Sequence, residues 1–470
     1  MITFPSDREL LSLIFSIASS ALGGGILAYP YAFALSGTVG GTVLLGVVTI
    51  FSIIGNWAIV LSIDHLAPEV TSYQGLMKSV FGRIGEVAAV LSSFLFCYGT
   101  SLAYLIFIGN NLSPVLNFFF LSDSSPVGVS PPVSPPSMGA FDVGGIAGGV
   151  GGGVGSITGV DGDYFTIHKK MVLVIYSLML ILPLCCLRRM QELSYTCIIS
   201  IGCIVYLSLT ILGLSFMGAI DHNGNETFKI DISSNNLVAE ELTHVVLVGA
   251  GIKFLHAMPL MSFSFQSHVT TPPLYAEMVE KTPERMYTAI FWATLLISAL
   301  YFTVGFFGYL TFGGEVLLTS ETGSDILTMY APNGTIVLGH LCVTFIATFA
   351  FPMLQFVARL SVLDVLQKVL DPPYNIEEDN NIYYGVTFLY FFSCLGLSLV
   401  FTSIEVVLAL LGGTVVIALM LFLPGLLVLT QGMNSASTFK SVGAFIIGFF
   451  MISFGLFVSS LSIAFFVDST

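Results

Sequence analysis

A chain of 470 residues with 55% apolar side chains, 40 phenylalanines and only 9% charged residues is too hydrophobic for an ordinary soluble domain. The composition excludes a soluble enzyme and points to a polytopic membrane protein, with the lipid bilayer as its surroundings and no nucleic-acid partner expected. The formal net charge is −14, and most of the acids lie between the apolar runs. Where Lys and Arg sit is more informative, because they set topology.

One crossing needs roughly 20 apolar residues. Runs divided by charge, Pro or Asn clusters predict an all-α integral membrane fold of eleven spans, at about 10–34, 39–63, 86–112, 169–187, 194–219, 244–268, 287–311, 335–357, 383–401, 404–430 and 441–466. The first run is too long for a signal-peptide core and has no basic segment before it, so it is expected to be retained. If the spans alternate, Arg8, Lys78, Arg83, Arg188, Arg189, Lys281, Arg285, Arg359, Lys368 and Lys440 share one side, and only Lys169, Lys170 and Lys229 fall clearly on the other. This bias predicts a cytosolic N-terminus and an outer or lumenal C-terminus. The triplets at Asn225 and Asn333 fall on the outer side and are candidate glycosylation sites. Asn111 heads a third triplet, but it abuts a span and precedes Pro114, and is set aside.

The first span carries Ser19-Ser20-Ala21-Leu22-Gly23-Gly24-Gly25 in its middle. Irregular backbone survives at membrane depth only inside protein or along a polar cavity. A helix broken there presents N–H and C=O groups to a solute, as in many secondary transporters. Close helix packing is the plainer use of three glycines.

Residues 73–83, with Lys78 and Arg83 beside apolar positions at helical spacing, predict a short helix along the cytosolic interface. Residues 121–163 are rich in Ser, Pro and Gly with no Lys or Arg, and predict an unstructured outer loop. Its glycine run lacks the Gly-Lys-Ser/Thr ending of a phosphate-binding loop. The seven cysteines lie in spans or at their ends, a pattern that predicts neither a disulfide framework nor a metal site. A second interfacial helix is expected at about 360–370, before Asp371-Pro372-Pro373.

Span six carries its own interruption. Pro259 removes a backbone donor and crowds the preceding turn, and Ser262, Ser264, Gln266 and Ser267 follow it in a segment that a plain span would leave apolar. Span six starts on the opposite side of the membrane from span one. Matching breaks in the two predict an inverted repeat of five spans plus five, the first at about 10–219, the second at about 244–430, with 441–466 as an extra helix.

An amino acid zwitterion in such a site must have both charges satisfied. N–H groups around Gly24, Gly25 and Ile26 suit the carboxylate at a positive helix end. Carbonyls near Ala21 and Leu22 and from Ser262 through Phe263 to Ser264 suit the ammonium. With Gly23, these are the candidate substrate-binding residues. Ser101 and Tyr104 of span three are candidates for lining the path.

Gly23-Gly24-Gly25-Ile26-Leu27-Ala28-Tyr29-Pro30-Tyr31-Ala32-Phe33 resembles the first-span signature of the amino acid/auxin permease family. Pro259 to His268, Pro273 to Met278, Arg285-Met286 and Phe307 to Gly313 follow that family's pattern through spans six and seven. Phe351-Pro352, Arg359, Leu411 to Thr414 and Leu423-Pro424 echo spans eight and ten, so only the 121–163 stretch falls outside the resemblance. The family includes sodium-coupled neutral amino acid transporters and vacuolar amino acid transporters.

The resemblance implies a LeuT-like fold with helices 1 and 6 broken, and an amino acid held between spans one, three, six and eight. It also implies alternating access driven by protons or sodium. Sodium-coupled members carry Asn where this chain has Ser19, and a hydroxyl is a poorer ligand for a hard cation than an amide carbonyl. Proton coupling or exchange is therefore expected ahead of sodium symport. Thr344 or Thr348 of span eight would be needed to complete a sodium site with Ser19. His268 matches a family histidine and either titrates during transport or caps the broken helix. No cofactor, resident metal or catalytic residue is expected, and the chain is expected to work as a monomer in the plasma membrane or a lysosomal or vacuolar membrane. An ion channel is the rival of another class, although no ring of charges suggests a filter.

Overall fold

The computed structural model describes residues 8–120, 161–187, 194–218, 246, 249, 253–319, 324–330, 333–370, 379–401, 404–434 and 438–469. Among them every regular element is helical. Eight helices are long and apolar enough to cross a membrane, and a bent pair, Glu9–Ala21 with Gly24–Ser36, makes a ninth.

In chain order the first span is α1 (Arg8–Ala21), a 3-10 turn (Gly24–Ala28) and α2 (Tyr29–Ser36), bent by 60° at the break. α3 (Thr38–Leu66) and α4 (Tyr73–Phe120) follow. α4 contains the expected 73–83 helix, which joins the span across Gly82. The φ of 64° there, with ψ −151°, is a non-helical conformation that glycine adopts without steric cost, and it kinks the chain between the short interfacial helix and the span.

α5 (Asp161–Tyr176), a π-helical turn (Ser177–Ile181) and α6 (Leu182–Cys185) occupy the fourth expected span, and α7 (Ser194–Gly218) the fifth. α8 (Lys253–Phe263) is shorter than a full crossing and is followed by an irregular stretch and α9 (Thr271–Glu277). Pro259 does not break it. The helix runs four residues further, and the Pro259 carbonyl packs so closely on Gly412 that a Cβ there would lie 1.8 Å from it.

α10 (Pro283–Phe312) and α11 (Gly314–Thr319) lead to a short 3-10 turn (Ile326–Met329) and then α12 (Gly334–Leu370). α12 absorbs the expected second interfacial helix. From Gln355 to Leu370 there is neither Gly nor Pro to stop it, and Asp364 and Lys368 pair one turn apart at 2.5 Å. Lys368 also reaches Glu86 of α4 at 2.7 Å. The last elements are α13 (Asn380–Val400), α14 (Ile404–Leu411), two π-helical turns (Gly412–Val416 and Ala418–Phe422), α15 (Leu423–Asn434) and α16 (Thr438–Ser469).

The inside of the bundle is built around α10, which packs on α1, α2, α3 and α7, while α8 sits against α2, α14 and the Gly412 turn. α16 turns Phe445, Ile446, Phe449, Phe450 and Phe457 outward, the apolar exterior that hydrocarbon requires. Cys97, Cys185, Cys186, Cys203, Cys342 and Cys394 are free thiols. Asn333 is exposed, and its side chain accepts from the Ile336 amide at 2.9 Å. Asn111 is buried, whereas Asn225 and nearly all of the 121–163 loop lie outside the described residues.

Candidate functional site

The helical ladder of α1 ends where the Leu22 amide donates to the Ala18 carbonyl at 2.8 Å. Gly23 is then fully extended, and the chain re-enters as a 3-10 turn. What the glycines provide is close approach. A Cβ on Gly23 would lie 2.4 Å from the Tyr104 hydroxyl, one on Gly24 2.8 Å from the Phe107 ring, and one on Gly25 2.6 Å from Ser264 Oγ. Such distances are below any real Cβ contact, so span three and the span-six break press directly on the bare backbone of span one.

The second break begins at Phe263. The Ser264 and Phe265 amides turn back to Met261 and Ser262 at 3.2 and 3.1 Å before α9 starts. Two tyrosines hold the breaks together. The Tyr301 hydroxyl lies 3.1 Å from the Ala21 carbonyl and 3.0 Å from the Ser264 carbonyl, and the Tyr29 hydroxyl donates to the Met261 carbonyl at 3.1 Å. Tyr301 thus serves the open carbonyl end of one interrupted helix and the irregular segment of the other.

Between the breaks lies a cavity of about 40 Å³, lined by Ser20, Ala21, Gly23, Gly25, Phe96, Thr100, Tyr104, Phe263, Ser264, Gln266 and Leu354. Ser264 Oγ and both amide atoms of Gln266 are buried without a hydrogen-bond partner among the described residues. Buried polar atoms cost free energy unless something pairs with them, so these atoms are the candidates here for meeting a polar ligand. A wider hollow of about 300 Å³ at Lys170, Met171, Val174, Ile175 and Leu399 is apolar and shares no lining residue with this one.

Of the residues expected to bind substrate, Ala21, Gly23, Gly25, Phe263 and Ser264 meet at the cavity. Leu22, Gly24 and Ser262 are buried beside it without lining it. Tyr104 lines it, while Ser101 instead bonds the Tyr390 hydroxyl at 3.0 Å. The three ion-coupling candidates turn to their own helices. Ser19 donates to the Ser16 carbonyl at 3.0 Å, Thr344 to His340 at 2.8 Å and Thr348 to Thr344 at 2.6 Å, and Thr348 also meets the Tyr176 hydroxyl at 2.9 Å.

His268 is fully buried against Gly55 of α3, outside the cavity lining. Its neighbour Asn56 organises the second break. Asn56 donates to Ser52 at 2.9 Å and Ser267 at 3.1 Å, accepts from Thr271 at 2.6 Å, and lies 3.4 Å from His268 Nε2. Sequence reasoning missed Tyr301, Asn56 and Thr100. The available signal was a polar group in mid-span, since a hydroxyl or amide in hydrocarbon must find a partner.

The chain is similar in sequence to known proteins. Amino acid transporter AVT6C of Arabidopsis thaliana is 24% identical over 433 residues, covering 91% of this chain and 86% of that protein. Sodium-coupled neutral amino acid symporter 2 of Danio rerio is 23% identical over 367 residues, 77% of this chain and 64% of that protein. The family described as transmembrane amino acid transporter protein matches residues 8–466, nearly end to end, and the chain belongs to that family.

Proposed function

We propose that the protein is a secondary active transporter that carries an amino acid by alternating access through the cavity between the two broken spans. The observation that carries this is the meeting of both breaks at one polar cavity, tied by Tyr301 to Ala21 and Ser264. The substrate carboxylate lies toward the amides that open the 3-10 turn at Gly24 to Ile26, and the ammonium toward the Ala21 and Ser264 carbonyls. Gln266, Thr100 and Tyr104 read the remaining polar atoms, and Phe96, Phe263 and Leu354 give the site an apolar wall.

Eleven spans in a LeuT-like five-plus-five inverted repeat, with a cytosolic N-terminus, is the architecture on which this mechanism rests. It is supported by the 60° bend in the first span and the short sixth helix. For the driving ion, proton coupling or exchange is favoured, because Ser19 offers a hydroxyl where sodium-coupled relatives carry an amide carbonyl, the better ligand for a hard cation. Sodium symport is the second reading, favoured by similarity to a protein named as a sodium-coupled symporter.

The test is uptake of a panel of labelled amino acids into proteoliposomes holding the full chain, under separately imposed pH and sodium gradients. Saturable uptake with counter-transport is expected, and it also separates a carrier from a channel. No uptake or exchange of any amino acid under either gradient would end the proposal.

A further inference from the structure

Away from the cavity, the 3-10 turn Ile326–Met329 wedges between the first-span break, span three and span eight. Ile326 and Leu327 are fully buried. A Cβ on Gly308 would meet Ile326 at 2.7 Å and Pro30 at 2.6 Å, and one on Gly339 would meet Leu327 at 3.4 Å. The segment therefore covers the side of the break that sequence analysis assigns to the outer face.

Asp325, which opens this segment, is fully buried. Its Oδ2 accepts from Asn111 Nδ2 at 2.7 Å, and its Oδ1 is buried with no hydrogen-bond partner among the described residues. Asn111 is fully used. Its amide also donates to the Phe107 carbonyl at 2.9 Å, and its Oδ1 lies 2.8 Å from His340 Nδ1, which assigns that ring nitrogen as the donor. From α5, Lys169 is the cation whose charge acts on Asp325, with Lys170 next to it in sequence. Span eight contributes His340, through Asn111, while the adjoining stretch of span three (107–115) and the Gly24–Ala28 turn contain no ionisable side chain.

We propose that Asp325 is a proton-binding site on the outer lid: a proton on its free oxygen holds segment 324–330 down over the first-span break, and loss of that proton releases it. An ionised carboxylate with a bare buried oxygen is unfavourable, and the neutral acid relieves that cost while keeping the Asn111 bond. The proton comes from, and returns to, water on the lid side.

Burial pushes the Asp325 carboxyl up to about 6, against the pull of the Asn111 and Leu327 donors and the Lys169 charge. Once the lid lifts, the carboxyl faces water and its affinity falls toward the ordinary carboxylate range, near 4. The closed state thus binds the proton more tightly. Acid on the lid side stabilises closure, and that stabilisation is lost as pH rises through about 6.

This deepens the transport reading by assigning a ligand to its outer gate, and it is tested by a readout that needs no substrate. Leu327→Cys is placed in the full chain in proteoliposomes and labelled with a membrane-impermeant maleimide from pH 5 to 8. Rates are corrected for thiolate content and taken relative to the parent chain. Labelling is expected to slow by up to about 10-fold between pH 8 and pH 5, which is what a carboxyl titrating near 6 in the closed state and near 4 in the open state gives at pH 5. With Asp325→Asn, which is neutral like the protonated acid, it is expected to be slow and flat.

Should Asp325→Asn fail to insert, Asn111→Leu removes a donor to the ionised form and is expected to move the midpoint upward. Equal pH profiles with and without the Asp325 carboxyl overturn the proposal. So does a profile lost in His340→Asn and kept in Asp325→Asn, or a response to replacing choline by sodium at fixed pH without any response to pH. Amino acid uptake with flat labelling defeats the lid site and leaves the transport reading standing. Labelling that follows Asp325 in a chain that moves no amino acid does the reverse.

Discussion

Tyr29 and Tyr301 stack with ring centroids 4.4 Å apart and planes 22° from parallel, and each points its hydroxyl at a backbone carbonyl beside a helix break. One residue belongs to the first span, the other to the seventh. Together they join two breaks separated by more than two hundred positions of chain.

Tyr301→Phe keeps the stack and removes the hydroxyl that lies between the Ala21 and Ser264 carbonyls. A buried acceptor left without its donor costs about 1–3 kcal/mol. Substrate affinity in proteoliposome uptake is expected to fall by about 10-fold or more, with the protein still inserted. Unchanged affinity would remove this tyrosine from the site.

The packing of Tyr104 on Gly23 gives a double-mutant test. Gly23→Ala is expected to abolish uptake, because its new methyl would lie 2.4 Å from the Tyr104 hydroxyl oxygen, while the nearest ring carbon is 3.4 Å away. Adding Tyr104→Phe removes the offending oxygen and is expected to restore folding, read by thermal melting in detergent. The coupling between the two changes, about 0.5–3 kcal/mol for residues in contact, is the quantity to measure. Additive losses would place the strain elsewhere.

Gln266 separates stability from function. Both its amide atoms are buried without partners among the described residues, so Gln266→Leu is expected to leave the melting temperature equal or higher. Uptake is expected to fall at least 10-fold for substrates with polar side chains and less for apolar ones. A variant that melts early with unaltered selectivity would make Gln266 structural.

Asn333 is exposed at the start of α12 and Asn111 is buried in the bundle. Expressed in a glycosylating cell, the chain is expected to lose one glycosidase-sensitive mobility step on Asn333→Gln. Absence of any step on that variant would argue against the outer placement of this loop.

Much of the bundle was legible in the chain because each span has to satisfy its own backbone in hydrocarbon, which imposes long apolar runs. α3, α7, α10, α13 and α16 coincide with expected spans to within several residues. The first interfacial helix was legible as a separate piece, since a non-helical Gly82 kinks the chain between it and the span. The second was legible as a helix but not as a continuous extension of α12, which follows from the lack of any stop signal after Gln355. Pro259 illustrates the limit of a local signal: the proline is accommodated, and the helix yields instead at Phe263.

By itself the sequence determined that this is a helical membrane protein with backbone breaks at Gly23–Gly25 and after Pro259, since composition and glycine or proline placement act locally. Only the tertiary structure decided which polar groups converge. Tyr301 and Asn56 supply hydrogen bonds to segments far away in the chain, the Ser19, Thr344 and Thr348 hydroxyls turn to their own helices, and Asp325 is carried by a loop into a pocket made by Asn111 and His340. The reason is that a hydrogen bond is satisfied by whatever lies within 3 Å of it, and that neighbour is set by how helices pack rather than by residues adjacent in the chain.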